Sequence, residues 1–511
     1  MKHLFILLFA FPAILYANKS HLKKSKPNII IIYADDMGYG DLHCQNINSK
    51  IPTPNLDKLA SEGMRFTDAH SSSGICSPSR FALLTGAYHW RRQHGIVGSF
   101  GTPLFIDSDV TLPQVLGENG YTTACIGKWH LGWHWNFKSK PTGTRKYWGK
   151  DHSVYLPQDI DWEGPIKGGP LDRGFDYYFG DGTINFPPYA WIENENFVET
   201  PNDFFEFDQF KRKAKEGDWD SRPGPKVKGW DPYQVLPTIT QKTIAWINKQ
   251  NQEQAFFLYL ALPSPHMPII PNDAFDGTSK AGAYGDYMYQ TDHITGEILE
   301  ALKKKGFEEN TIIIFSSDNG PESTAWERAV QYNHFSMGDF RGLKRDVWEG
   351  GHHVPFIVKW TKEIKAGSVS DEVVCQTDIM STIAEITEIE LPAHAAPDSY
   401  SLLAVLKENK YKSPLREATI HNTSKSTWAI RKGDWLFINS NSGSGARKPP
   451  ESFVKLKKYS NFKTKGLLFD MSKDKEQRVN LYSKKPNKVK ELDELLKKYR
   501  NSTSTKKKLS Y

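Results

Sequence analysis

The chain has 511 residues, of which 38% are hydrophobic, 24% charged and 13% aromatic. Most of it is expected to be globular, and its length calls for one large domain with a smaller companion. The formal net charge of +7 suits anionic substrates. No zinc-finger or RNA-binding signature accompanies it, so nucleic acid is not an expected partner.

Residues 1–17, MKHLFILLFAFPAILYA, place Lys2 before an apolar run from Leu4 to Leu15 and end on Ala17. That is the pattern of a secretory signal peptide. The run is short for a bilayer span and no later stretch is apolar enough to cross one. The expected mature protein is soluble, begins near Asn18 and is exported, periplasmic or secreted. Cys44, Cys76, Cys125 and Cys375 show no framework spacing, which predicts mostly unpaired thiols.

"PNIIIIYADD" (27–36) reads as a buried strand ending in two acids. "TPNLDKLASEG" (53–63) reads as a helix with Thr53 as N-cap, Pro54 in the first turn and Gly63 as its stop. "SPSRFALLTG" and "TLPQVLGENG" predict two more helices, and "YTTACIG" a strand. Residues 133–235 are rich in Trp, Tyr, Pro, Gly and Asp with little periodicity, which predicts an irregular insertion near the substrate. Beyond it, "PTITQKTIAWINKQ" is helical, "QAFFLYLAL" a strand, "YMYQTDHITGEILEALKKKG" a helix and "NTIIIFSSDNG" a strand. "VPFIVKW" and "DIMSTIAEITEI" add a last strand and helix. Strands that are continuous apolar runs, alternating with helices, predict an α/β fold with a large, mostly parallel sheet covered on both faces. The catalytic domain is expected over 18–400. Residues 401–511 predict a small C-terminal α+β subdomain with a basic tail.

Sites in such sheets form beyond the carboxyl ends of the strands. Asp35 and Asp36 end one strand; Asp318 and Asn319 end another. Together they offer hard oxygen donors without thiolate or imidazole, which favours calcium or magnesium over zinc. Lys128 and His130 follow a third strand and His266 a fourth. Arg80 lies four residues after Cys76, on one face of a helix start. With Lys344 these residues predict a cationic nest for a tetrahedral oxyanion, sulfate or phosphate.

"CSPSR" (76–80) resembles the Cys-x-Pro-x-Arg core of the type I sulfatases, members of the alkaline phosphatase superfamily. "GYTTACIGKWHLG" (120–132) is similar to their second signature. "YADDMGYGD", "SDNG", the His266 segment, "GLKRDVWEGG" and "VVCQTDIMSTIAEI" follow in the family's order. The resemblance implies that a separate formylglycine-generating or anaerobic sulfatase-maturing enzyme oxidises Cys76 to formylglycine. It implies a calcium ion held by Asp35, Asp36, Asp318, Asn319 and the oxygen on residue 76. Arg80 and Lys128 would neutralise sulfate oxygens, and His130 would take a proton from the second hydroxyl. His266 and Lys344 would contact the sulfate and the bridging oxygen, with His266 protonating the leaving alcohol. The neighbours Arg341 and Arg345 leave the choice of Lys344 open. The implied function is hydrolysis of sulfate esters on a sulfated polysaccharide or oligosaccharide, with galactose or N-acetylgalactosamine at O6 the preferred sugar and position. A phosphomonoester or phosphonate hydrolase of the same superfamily is the first alternative, and an inactive glycan-binding homologue the second.

Overall fold

The four consecutive isoleucines Ile29 to Ile32 show how the sequence builds the core. Side chains alternate across a strand, so Ile29 and Ile31 enter one apolar cluster while Ile30 and Ile32 enter another. All four are fully buried, each stabilising the fold by about 2 kcal/mol. A strand buried on both faces must be apolar throughout, which is why no polar alternation shows in the sequence.

A computed structural model of the chain describes residues 26–506 apart from 208–211, 410, 412, 424–425 and 446. The expected signal peptide and the end of the basic tail lie outside the described residues. Asn28–Ala34 pairs in parallel with Phe256–Ala261 on one side and Thr311–Ser317 on the other. Thr122–Lys128 and then Tyr177–Gly182 continue the parallel order beyond Phe256–Ala261. Phe356–Trp360 runs antiparallel beside Thr311–Ser317, and short edge strands complete a sheet of ten.

Helices Cys76–Thr85, Leu112–Glu118 and Asp378–Ile386 cover one face, through Phe81, Leu116 and Ile383 among others. Helices Pro54–Glu62, Val235–Lys249 and Gly282–Lys304 cover the other, through Leu59, Ile239 and Ile298. The expected α/β architecture is therefore the observed one. Two details differ, and Gly63 is the expected helix stop. Thr53 precedes its helix, but its hydroxyl bonds the Asp57 carboxylate and accepts the His43 N–H rather than capping the helix. Gly63 closes that helix because of a neighbour: a Cβ there would stand 2.3 Å from the Val358 carbonyl oxygen. Residues 133–235 are also more regular than their composition predicts. They supply Tyr177–Gly182 to the main sheet, a hairpin of Gly143–Tyr147 with Lys150–Val154, and a ribbon of Asp203–Phe205 with Gly224–Lys226. These strands are short and of mixed composition, from YYFGDG in the main sheet to GTRKY and KDHSV in the hairpin, so they carry no period that a sequence pattern detects.

The C-terminal region forms an antiparallel meander of Thr419–Asn422, Trp428–Lys432, Trp435–Ile438 and Leu467–Asp470, backed by helix Pro486–Asn501. Leu492, Leu496 and Tyr499 of that helix share a core with Tyr88 and Cys375 of the large domain. Buried polar contacts add to this seam: Arg431 pairs with Asp68 at 2.6 Å, and the His421 ring stacks on His352 at 3.8 Å between centroids. All four cysteines are free. No helix among the described residues is long and apolar enough to cross a membrane.

Candidate active site

Four neighbouring parallel strands end on the same edge, and their next residues meet there. Asp35 and Asp36 follow Ala34; Asp318 and Asn319 follow Ser317; Lys128 closes its strand; His266 lies five residues beyond Ala261. Asp36 takes a left-handed conformation with φ 64°, strained for a non-glycine residue. Its N–H donates to Asp318 Oδ1 at 3.2 Å, which ties the two strand ends together.

Cys76 opens the helix Cys76–Thr85, so the positive end of the helix points at its side chain. One turn on, the Arg80 guanidinium is buried and donates to Asp318 Oδ2 from Nε at 3.1 Å and from Nη2 at 2.8 Å. Lys128 Nζ donates to Asp35 Oδ2 at 2.5 Å. Lys344 Nζ donates to Asp36 Oδ2 at 2.8 Å, and His266 Nε2 stands 3.6 Å from the same oxygen. His266 Nδ1 donates to the Met267 carbonyl at 2.5 Å. His130, with φ 55°, turns the chain out of its strand and places Nε2 2.9 Å from the Val97 carbonyl. Because that nitrogen donates to a carbonyl, Nδ1 carries the lone pair, and it is buried without a partner.

All ten predicted positions thus converge. Two kinds of pull set their charges. Burial alone would raise Asp35, but Lys128, His266, Arg80 and Lys344 outweigh it and hold the carboxyl well below its usual range. Asp318 goes the other way: burial and repulsion from Asp35 push it up to about 7 despite Arg80. Burial, Lys128 and Arg80 hold His130 well below the ordinary imidazole value, so it is neutral. Burial raises the Cys76 thiol although Lys128 and Lys344 oppose it.

The donor set fits a hard cation. Ligand atoms of Asp35, Cys76 and Asp318 lie within 4.8 Å of one another. Asp35 Oδ1 and Asn319 Oδ1 are buried acceptors with no hydrogen-bond partner. A repelling carboxylate pair with orphaned oxygens is what an oxygen-coordinated ion such as calcium would satisfy.

Residues 27–389 match the family model described as sulfatase. The chain belongs to the sulfatase family. Its relatives agree with that placement. This sulfatase is 33% identical to an N-acetylgalactosamine-6-O-sulfatase of Bacteroides thetaiotaomicron, over 92% of each chain. It is 30% identical to the human N-acetylgalactosamine-6-sulfatase, over 75% of this chain and 66% of the human one. A solved Bacteroides thetaiotaomicron sulfatase structure, described under the metabolism of multiple glycosaminoglycans, superposes with a TM-score of 0.76 at 31% identity, covering 94% of this chain and all of the other. A Pseudoalteromonas sp. sulfatase at 23% identity shares the fold, with a TM-score of 0.67, over 93% of this chain and 90% of the other.

Above the nest of this sulfatase opens a cavity of about 360 Å³. Cys76, His130, His266 and Lys344 form its base, and Trp148, Arg222 and Arg345 stand among its walls. Sequence reading singled out the base individually and the insertion 133–235, which holds Asn185 and Arg222, only as a region near the substrate. It did not name those two residues, and Arg447 lay outside what it marked. They sit in segments without period or motif, so no local signal marked them.

Proposed function

We propose that this sulfatase is an exported enzyme that hydrolyses sulfate esters of a sulfated glycan, with 6-O-sulfated N-acetylgalactosamine or galactose as the preferred target. One observation carries the reading: Arg80, Lys128, His130, His266 and Lys344 crowd round Cys76 at the base of a cavity, where an anion is the natural occupant. The sugar preference rests on the likeness to the N-acetylgalactosamine-6-O-sulfatase along 92% of both chains.

In this reading Cys76, matured to formylglycine, adds water across its aldehyde to give two hydroxyls on one carbon. The first attacks sulfur as the sugar alcohol leaves, and loss of the second's proton expels sulfate and restores the aldehyde. Asp35, Asp36, Asp318 and Asn319 would hold a calcium ion together with an oxygen of residue 76, and the ion would supply positive charge beside the sulfate. The chain's own groups do the rest. Arg80, clamped by Asp318, and Lys128, clamped by Asp35, keep fixed positive charge beside the reacting oxygens. His130 Nδ1 holds a free lone pair and receives the proton of the second hydroxyl. His266, once protonated at both nitrogens, would hand its Nε2 proton to the departing sugar oxygen, and Asp36, 3.6 Å away, favours that charged form. Lys344 holds the sulfate from the side of Asp36.

The test is sulfate release from a panel of defined sulfated mono- and oligosaccharides, run in parallel with an aryl sulfate and an aryl phosphate. Release from a 6-O-sulfated galactose-type sugar is expected. Faster turnover of the phosphate would overturn the sulfate assignment, and cleavage of aryl sulfate alone would overturn the glycan assignment. Mass analysis of secreted protein, cut near Asn18, checks export.

A further inference from the structure

Three arginines besides Arg80 approach the cavity: Arg222, Arg345 and Arg447. Two of them share one counter-ion. Arg345 Nη1 lies 2.6 Å from Glu322 Oε2, and Arg447 Nη1 lies 3.3 Å from Glu322 Oε1. Arg222 differs. Among the described residues no carboxylate lies within ion-pair distance of its guanidinium, its Nε is buried without a hydrogen-bond partner, and Nη1 makes a 3.5 Å contact with the Ser99 hydroxyl. Instead the guanidinium carbon lies 3.7 Å from the centroid of Phe186 and 5.7 Å from that of Trp148. The ring of Phe186 holds the planar group in place, and Asp220, which lines the same cavity, acts on its charge from a distance without forming an ion pair. A half-buried guanidinium without a counter-ion is unfavourable unless an anion arrives to meet it.

Its surroundings are built to receive a sugar. Trp148, with φ 49°, and Gly149, with φ 74°, form the tight turn of the Gly143–Val154 hairpin. That turn carries the exposed Trp148 indole to the cavity wall. Asn185, also on the wall, is buried and its Oδ1 accepts no hydrogen bond. The Arg222 cation, an apolar ring face and a free acceptor stand along this wall together with the Asp220 carboxylate, and Arg222 is the group there that would meet a saccharide's anion.

We infer that Arg222, seated on Phe186 and Trp148, forms a second anion subsite beside the sulfate nest, for a uronate carboxylate or a second sulfate ester on the glycan. This rests on the glycan-sulfatase reading above. It adds that the enzyme selects sugars carrying another negative group on the target residue or on the one linked to it.

The experiment compares kcat/KM for sulfate release from a sulfated disaccharide carrying a uronate and from the same disaccharide with its carboxyl reduced. It also compares a 4,6-disulfated with a 6-sulfated monosaccharide. Wild type is expected to favour one anionic member of these pairs by about tenfold or more. Arg222→Gln should collapse that preference, mainly through KM, and Arg222→Lys should restore part of it. The pair that responds names the anion. Equal preference in wild type and Arg222→Gln, or no preference in wild type, overturns the subsite. A second arm needs no turnover: calorimetry measures disaccharide binding to Cys76→Ala with and without Arg222→Gln, where the double variant should bind about tenfold more weakly. If wild type releases no sulfate from any sugar but this binding difference holds, the catalytic reading fails and the subsite stands. If sulfate is released and Arg222→Gln changes neither ratio nor affinity, the reverse holds. Matching circular dichroism spectra and melting curves establish that the variants fold.

Discussion

Lys344 and Asp36, 308 positions apart in the sequence, meet as a two-point ion pair, with Nζ 2.7 Å from Oδ1 and 2.8 Å from Oδ2. Both side chains are almost wholly buried. The two basic neighbours of Lys344 go elsewhere: Arg341 lies 4.1 Å over the Trp348 ring, and Arg345 pairs with Glu322. Only the lysine of this segment reaches the base of the nest.

Replacing Lys344 by Ala should therefore lower kcat/KM for sulfate release by about 10²- to 10³-fold, the usual cost of removing one preorganised charge-stabilising group. Arg341→Ala should cost far less. Steady-state kinetics on the three proteins checks this, and a larger loss in Arg341→Ala would reassign the role.

Cys76→Ala should fold and melt as wild type does, because a small buried side chain is lost from a helix start. Turnover should fall by at least about 10³-fold, on the order seen when a covalent nucleophile is removed. Intact-mass analysis of the peptide spanning Cys76 in active wild type should show sulfur replaced by oxygen. Normal turnover in the variant, or an unaltered thiol in fully active enzyme, would reject the formylglycine assignment.

Chelation should lower the melting temperature, and added calcium should restore it. An ion at about 100 times its Kd stabilises the folded state by about 2.7 kcal/mol. Asp318→Ala should abolish the calcium dependence of melting, since it removes one of the converging carboxylates and strands the Arg80 charge. A calcium response that survives in Asp318→Ala would place the ion elsewhere.

Arg431 joins the C-terminal meander to the large domain through Asp68, at 2.6 Å, and through Glu349, at 3.5 Å, with all three side chains largely buried. Removing one partner of a buried pair leaves uncompensated charge, so Arg431→Ala should destabilise by about 3–5 kcal/mol. Denaturant melts check this; a change below about 1 kcal/mol would mean that water reaches the pair.

Buried histidines should lose their contribution to stability from about pH 6.5 downward, while carboxyls held up by burial, such as Asp318, Asp181 and Asp346 at about 7, contribute with the opposite sign. Burial pulls His89 and His352 from the ordinary imidazole value to about 3, and holds His421 well below it. Between those limits the unfolded chain protonates these histidines while the folded chain keeps them neutral, so their contribution to stability falls as pH falls through that window and levels off below it. His89→Gln removes one such titration and should flatten the slope of melting temperature against pH between about 4 and 6. An unchanged slope would show that other groups dominate.

Much of this was legible in the chain itself. Ile29 to Ile32 announce a strand buried on both faces because only apolar side chains survive there. Asp35-Asp36 and Asp318-Asn319 announce strand-end chemistry because paired acids next to such a core need a cation or a partner. Cys76 and Arg80 announce one face of a helix because four residues complete about one turn. Each of these signals lies within a few residues, and local geometry is what a sequence encodes directly. Tertiary structure decided what depends on distance along the chain. It selected Lys344 over Arg341 and Arg345, because which base meets Asp36 follows from how two remote segments pack. It turned residues 133–235 into strands and a hairpin, because short strands gain their stability from neighbours rather than from a period of their own. It also left Arg222 on the cavity wall without an ion pair while pairing Arg345 and Arg447 with Glu322, because which carboxylate reaches which arginine is settled only once the whole fold has placed them.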